Sequence, residues 1–122
     1  MLVKKFKNGT LSIISINCSS NNTILNISNF RKKTIFCTSC GSLGLKGSRR
    51  STSYASQTIA NLFGKKLYFL GIKYAFIRLK GFGNGRYSCI KGLFLSGIKI
   101  LRILDVTFLP FNGCKLSKKR RV

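Results

Sequence analysis

Basic side chains grouped with glycines and hydroxyl residues form the clearest chemical pattern in this sequence. Glycines let backbone N–H groups approach an anion without interference from a Cβ atom, and arginine adds a charged, forked donor. The stretch GSLGLKGSRRS at residues 41–51 combines these features, so we predict a loop that binds phosphate. A solvated turn is the alternative. The candidate ligands in this loop are Lys46, Ser48, Arg49, Arg50 and Ser51.

A second group surrounds the glycine-rich stretch GFGNGR at residues 81–86. It is not a dinucleotide-binding fingerprint, because Arg86 stands where the third glycine of G-x-G-x-x-G would be. A turn that opens a helix fits better, since the free amides of a helix N-terminus attract anions. A purely structural turn is the alternative. The candidate ligands here are Lys80, Gly83, Asn84, Gly85 and Arg86.

A third group of basic residues lies at the end of the sequence. Residues 115–121 contain too few apolar side chains to fold alone, and their like charges hold the segment open until phosphates neutralise them. We predict an extended arm that becomes ordered on a polyanion, and a solvated, disordered end is the alternative. The candidate ligands of the arm are Lys115, Lys118, Lys119, Arg120 and Arg121.

The residues that enzymes use for acid–base chemistry are missing. The chain has no His and one acidic residue, Asp105, so no two groups can share acid and base roles. Cys37 and Cys40 form a lone C-x-x-C, which is only half of a zinc site. We therefore predict no catalytic residue, no metal, no cofactor and no small-molecule substrate. The two cysteines are interpreted as small side chains at the end of a strand, and Asp105 as an acceptor that fixes local structure.

The net charge indicates the class of partner. Lysines and arginines number 23 against one acid, a formal charge of +22. Such charge repels itself unless a polyanion supplies negative charge, and RNA and DNA present closely spaced phosphates that also release counterions. An anionic membrane surface is a further possibility. The best candidate for a membrane span, residues 67–77, is too short and is interrupted by Lys73, so no membrane insertion is expected.

Composition also bears on the compartment. The chain favours Lys, Ile, Asn, Phe and Tyr, which A+T-rich codons specify, and this indicates an organellar gene. A nuclear gene with the same base bias is the alternative. Five cysteines without regular spacing favour free thiols in a reducing compartment. The first residues have the features of neither a secretory signal nor an Arg-rich presequence, so no cleavage is expected.

Hydrophobic patterns predict the elements that position these groups. Alternating β-branched residues favour strands at 10–17, 23–29 and 34–38, which form an antiparallel meander. A helix capped by Ser53 should follow, with Leu62 on its buried face and Gly71 at its end. A strand at 74–80, a shorter helix that buries Phe94, and a strand at 98–106 complete the order.

Helices that alternate with strands in the second half indicate crossovers between parallel strands. We therefore predict an α/β fold in which helices pack on a mixed five-stranded sheet. The expected layout is a short basic extension at residues 1–9, one nucleic-acid-binding domain at 10–109 and an extended basic tail at 110–122.

At this level of detail the chain resembles a known family, the universal small-subunit ribosomal protein numbered eleven in its bacterial and organellar form. The likeness covers about residues 8–122. It rests on the motifs Asn21-Asn22-Thr23-Ile24, Gly47-Ser48-Arg49 with Ser51-Thr52, Gly71-Ile72-Lys73, Lys80-Gly81 with Gly83 and Gly85-Arg86, Asp105-Val106-Thr107, and Asn112-Gly113-Cys114 with the basic end.

The resemblance implies a structural protein on the platform of the small ribosomal subunit. It would bind small-subunit rRNA beside the exit-site end of the mRNA channel, with other platform proteins as neighbours. The resemblance also adds Asn112 to the candidate rRNA ligands. A DNA-compacting basic protein and a membrane-active cationic peptide are the competing classes, but neither needs these spaced motifs. Mitochondrion is the predicted location, with plastid as the alternative.

The chain departs from the family in its loops. Phe82 and Asn84 stand where prolines are usual, Phe111 replaces a histidine, and residues 115–117 replace an arginine and two prolines. Fewer prolines leave both segments freer before binding, so more conformational entropy is lost when they become ordered.

Overall fold

The computed structural model describes residues 11–122 and shows a five-stranded mixed sheet with two α-helices packed on it. It confirms the predicted fold class and element order. The predicted extension at residues 1–9 lies outside the described residues. The elements are β1 (Leu11–Cys18), β2 (Thr23–Ser28), β3 (Thr34–Ser39), α1 (Ser53–Phe69), β4 (Tyr74–Lys80), α2 (Arg86–Leu95) and β5 (Lys99–Asp105), with 3-10 turns at Cys40–Leu43 and Gly47–Ser51 before α1.

The strands lie in the order β3-β2-β1-β4-β5. The first three are antiparallel neighbours, as the predicted meander requires. β4 pairs in parallel with β1, and β5 pairs in parallel with β4. Parallel pairs need a crossover connection, and α1 and α2 supply it. The strand that begins the domain therefore becomes the centre of its sheet.

Alternation along β1 shows why one face of the sheet is covered. Ile14, Ile16 and Cys18 are buried, whereas the side chains between them are more exposed. Phe63 and Leu67 of α1 are also buried and belong to the same apolar core. Burying each such side chain contributes about 1.5–3 kcal/mol, so this core is the main source of stability.

The two ends of α1 show one incorrect prediction and one that is confirmed. Thr52, not Ser53, caps the helix, because the Thr52 side chain accepts a hydrogen bond from the Ala55 amide at 3.3 Å. The preceding 3-10 turn leaves Thr52 extended, so the helix begins at Ser53, one residue earlier than a Ser53 cap implies. At the other end Gly71 has φ +86°, and the Ile72 amide bonds to the Leu67 carbonyl in a Schellman stop.

The predicted buried faces of the helices were wrong at two positions. Leu62 is 44% exposed and Phe94 is 69% exposed. The helices pack closely against each other through small residues instead, with Gly92 of α2 against Ala60 of α1. Because α1 buries one stripe on the sheet and another on α2, its apolar face is shifted away from Leu62.

The close approach at Gly92 gives a test of this packing. A Cβ added there would lie 2.6 Å from the Gln57 carbonyl oxygen and 2.8 Å from the Ala60 Cβ. We expect Gly92→Ala to lower the free energy of unfolding by about 1–3 kcal/mol, the usual range for overpacking, in urea denaturation.

Gly41→Ala is the matched control, because the nearest atom to its new Cβ would be 3.6 Å away. It should leave stability unchanged or raise it by up to about 1 kcal/mol, since it restricts the unfolded chain. Equal stability of the two variants would contradict the packing described here.

Candidate nucleic-acid interface

Three strand ends meet at one edge of the sheet. β1, β4 and β5 run in parallel and end at Cys18, Lys80 and Asp105, and we call this the carboxyl edge. Both helices begin beside it, as a hydrogen bond from the Ser53 hydroxyl to the Asn84 carbonyl shows at 3.4 Å. In sheets of this kind ligands bind outside the carboxyl ends of the strands. The carboxyl edge is therefore where a site is expected.

The glycine-rich loop between β4 and α2 packs directly on the end of β1. The Gly83 amide donates a hydrogen bond to the Cys18 carbonyl at 3.0 Å. Gly81 has φ +96°, and a Cβ at Gly81 or Gly83 would collide with the backbone of Cys18 or Ser19. These glycines therefore have a structural role, whatever else they contact. Gly85 is buried, while Asn84 and Lys80 are exposed beside it.

A small polar cluster supports this loop from below. The hydroxyls of Thr23 and Ser56 lie 3.0 Å apart in the interior, and the Cys89 thiol approaches the Ser56 carbonyl. A hydrogen bond with Cys18 and burial raise the pKa of Cys89, so its thiol stays protonated at neutral pH. Cys18 and Cys89 are both buried and free.

Asp105 ties the loop to the end of β5. One carboxylate oxygen accepts a hydrogen bond from Arg86 at 2.7 Å, and the other accepts from the Thr107 hydroxyl at 2.6 Å and its amide at 3.0 Å. Arg86 also donates to the Gly81 carbonyl, and the Gly81 amide donates to the Thr107 hydroxyl at 3.2 Å. We call these four residues the Asp105 clamp. The predicted structural role of Asp105 agrees with this geometry.

The clamp changes how Arg86 is interpreted. Its guanidinium bonds to Asp105 and Gly81, so within residues 11–122 it is an internal support of the loop. The Thr107 hydroxyl and the Arg86 guanidinium lower the pKa of Asp105 from 3.8 to about 2. The carboxylate is therefore charged at all physiological pH values.

The first basic group lies in the 3-10 turn Gly47–Ser51 that leads into α1. Lys46, Ser48 and Arg49 are exposed, whereas Arg50 and Ser51 are half-buried. The Ser51 hydroxyl donates to the Ser48 carbonyl at 2.6 Å and fixes the turn. The Arg50 Nε atom is buried without a hydrogen-bond partner in the described part of the chain. Arg49 is thus the more accessible of the two arginines.

The third basic group continues from the clamp. Residues 108–122 have no regular secondary structure, and every one of them is exposed. Asn112 has φ +54°, a conformation that asparagine tolerates better than most residues and that marks a turn. The basic residues of this tail that were predicted to bind the polyanion are all exposed: Lys115, Lys118, Lys119, Arg120 and Arg121.

The structure places the first basic group, before α1, beside the second, in the glycine loop. It also fixes the point from which the third group, the tail, leaves the sheet. The Ser53 to Asn84 hydrogen bond joins the start of α1 to the glycine loop, and Thr107 ties the start of the tail to the same loop. Sequence reasoning missed a cleft at this edge, between the β1–β2 turn, the loop and the tail. Its walls come from separate stretches of the chain, so no local sequence pattern indicated it, and its two aromatic residues Phe82 and Phe108 are exposed in the structure.

Comparison with known proteins agrees with this architecture. The profile of the family described as Ribosomal protein S11 matches residues 12–121. The chain belongs to this family. The membership confirms that it is not an enzyme, since the family is one of structural ribosomal proteins.

Relatives from three sources cover most of the chain. Small ribosomal subunit protein uS11m of Marchantia polymorpha is 46% identical over 101 residues, 83% of this chain and 81% of the relative. Protein uS11c of Tupiella akineta is 41% identical over 110 residues, 90% of this chain and 85% of the relative. Protein uS11 of Aquifex aeolicus is 40% identical over 119 residues, 98% and 95% of the two chains.

Because of the Asp105 clamp, we expect the stability of the fold to depend on pH in the acid range. A lowered pKa means that the carboxylate stabilises the folded state above its ordinary pKa of 3.8, and that this contribution is lost as pH falls through about 2. We expect Asp105→Asn to lower the melting temperature at pH 7, and the difference from wild type to shrink between pH 4 and pH 2.

Wild type and variant carry the same terminal carboxylate, so its titration cancels in the difference. Asp105 is the only acidic side chain, so no other side chain titrates in this range. Thermal unfolding followed by circular dichroism gives the comparison. A difference that stays constant from pH 7 to pH 2 would contradict the clamp.

Proposed function

We propose that this structural protein of the small ribosomal subunit binds small-subunit rRNA through the carboxyl edge and the C-terminal tail. The observation that carries the proposal is the convergence of the basic groups at one edge. Lys80 and Arg49 are exposed near the N-termini of α2 and α1, and the tail leaves from Thr107 beside them. Several phosphates of one RNA could therefore be contacted at once.

Electrostatics favours the same partner. Within residues 11–122 the pair Arg86–Asp105 is the only ion pair, so the other lysines and arginines there have no acidic partner in the protein. Phosphates would neutralise them and release counterions. The alternative of a DNA-compacting protein has no support from the comparisons, since the relatives are ribosomal proteins. None of the helices in the described part of the chain has the length and apolar character of a membrane span.

The layout that follows has a rigid body and an arm. Residues 10–109 would dock as one domain, and residues 110–122 would extend into rRNA from the Asp105 clamp. The family resemblance supports a position on the platform, close to the mRNA exit, beside other platform proteins. Ordering of the arm would then coincide with assembly of the subunit.

We infer that the ribosome is organellar and that the organelle is the mitochondrion. The A+T-rich residue composition supports this, and the relatives include mitochondrial, chloroplast and bacterial proteins. Recovery of the chain with purified mitochondrial ribosomes, and not with plastid ribosomes, is the expected result of subcellular fractionation. Recovery with plastid ribosomes would overturn the assignment.

Salt dependence tests binding to phosphate. Each neutralised phosphate should lower log affinity for rRNA by about 0.7–0.9 per unit of log salt. Arg49→Ala with Arg50→Ala should make the slope shallower by about two such increments if each arginine meets one phosphate. Filter binding of the full chain to a small-subunit rRNA fragment gives both slopes. A flat salt dependence of wild type would refute the proposal.

Removal of the basic end tests the arm. Deletion of Lys118–Val122 should reduce incorporation into small subunits while circular dichroism stays native, because these residues are exposed and lie outside the core. Replacement of Lys118, Lys119, Arg120 and Arg121 by glutamine is the matched control for length. It should fail in the same way if charge is what the arm contributes. Normal incorporation of both variants would show that the arm is dispensable.

A further inference from the structure

A cleft of about 410 Å³ lies at the carboxyl edge. It is bounded by the β1–β2 turn at Ser19 and Ser20, by the glycine loop at Phe82, and by the start of the tail at Phe108. Its volume falls within the range of about 300–1,000 Å³ that ligand pockets have. Gly81 and Thr107 of the Asp105 clamp also line the cleft, so the clamp helps to fix its walls.

Two exposed aromatic rings line this cleft. Phe82 and Phe108 are each 75% exposed, and both line the same depression. Large apolar side chains that share an exposed patch mark an interaction site more often than isolated ones do. The arrangement therefore needs an occupant with a flat, apolar face.

Both rings are held by anchored backbone. Phe82 lies between Gly81, which belongs to the Asp105 clamp, and Gly83, which is bonded to the Cys18 carbonyl. Phe108 follows Thr107, which is tied to Asp105. The Arg86 guanidinium also lies 6.0 Å from the centre of the Phe82 ring, within the distance of a cation–π contact. Because these hydrogen bonds fix the backbone beside both rings, binding costs less entropy than the missing prolines alone would imply, which suits a specific ligand.

The charge beside the rings identifies the class of occupant. Lys80 lines the same cleft, is exposed, and has no acidic partner among residues 11–122. Aromatic rings next to a free cation are the combination that holds unstacked nucleotides, because the base stacks on the ring and the phosphate meets the cation. A base inside a duplex has no free face to offer.

We propose that this cleft binds a single unpaired nucleotide of rRNA, with its base stacked on Phe82 and Phe108 and a phosphate near Lys80. The proposal rests on the proposed function and adds the kind of RNA element that is recognised. The carboxyl edge would then read an unpaired loop or bulge nucleotide, in addition to the phosphates that the basic groups contact.

The test compares RNA with and without bases. The full chain is titrated with a single-stranded RNA of about ten nucleotides and with an abasic strand that has the same number of phosphates. We expect the strand with bases to bind about 5-fold more tightly or better, the lower bound for one stacked base. Phe82→Leu with Phe108→Leu should remove this preference, because leucine keeps apolar area but has no π face. The double variant should bind the abasic strand like wild type.

Phe69→Leu is the matched control. Phe69 is an exposed ring at the far end of α1. This substitution should therefore leave the affinities for the strand with bases and for the abasic strand unchanged. Circular dichroism of each variant verifies the fold. The chain has no tryptophan, so Phe82→Trp supplies a unique reporter whose emission should be quenched by the strand with bases and not by the abasic strand.

The outcomes separate this inference from the proposed function. Equal affinity of wild type for the two strands, with a steep salt dependence, would overturn the nucleotide cleft and leave rRNA binding intact. Absence of binding to either strand and to the rRNA fragment would overturn both. If the double variant keeps its preference for bases but incorporates poorly into subunits, the rings contact a neighbouring protein and the proposal is wrong.

Discussion

Asp105 accepts hydrogen bonds from Arg86 and Thr107, and through them it joins the glycine loop to the first residues of the tail. No other acidic side chain exists in the sequence to replace it. The loop in turn packs on the end of β1 through Gly83. Its Asn84 carbonyl accepts a hydrogen bond from the Ser53 hydroxyl at the start of α1. The geometry of the carboxyl edge thus depends on one carboxylate in a strongly basic protein.

The apolar interior and the basic surface act in opposite directions. The core of Ile14, Ile16, Phe63 and Leu67 holds the sheet and helices together, while a net charge of +22 disfavours a compact chain. Several of the lysines and arginines lie at the carboxyl edge, and the basic tail is exposed without regular secondary structure. A polyanion that neutralises the edge would relieve the repulsion and add binding energy to the stability of the folded state.

Much of the fold follows from sequence patterns, whereas the details of the site depend on contacts between distant stretches. Alternation in β1 and the glycine stop at Gly71 are local signals, and the structure confirms both. The cap at Thr52 differs from the prediction because a 3-10 turn precedes it. The internal role of Arg86 depends on Asp105, which lies 19 residues away in sequence. Local patterns contain no information on such a pairing, and the cleft escaped prediction for the same reason.

We expect the carboxyl edge and the tail to form the RNA-binding surface together. Amide hydrogen exchange of the full chain, followed by mass spectrometry with and without a small-subunit rRNA fragment, would locate this surface. With the rRNA fragment bound, we expect slower exchange in peptides that cover residues 46–52, 80–88 and 106–122, and unchanged exchange in a peptide that covers the end of α1 near Phe69. If the rRNA fragment slows exchange near Phe69 and leaves exchange at the carboxyl edge and in the tail unchanged, RNA binds elsewhere on the protein.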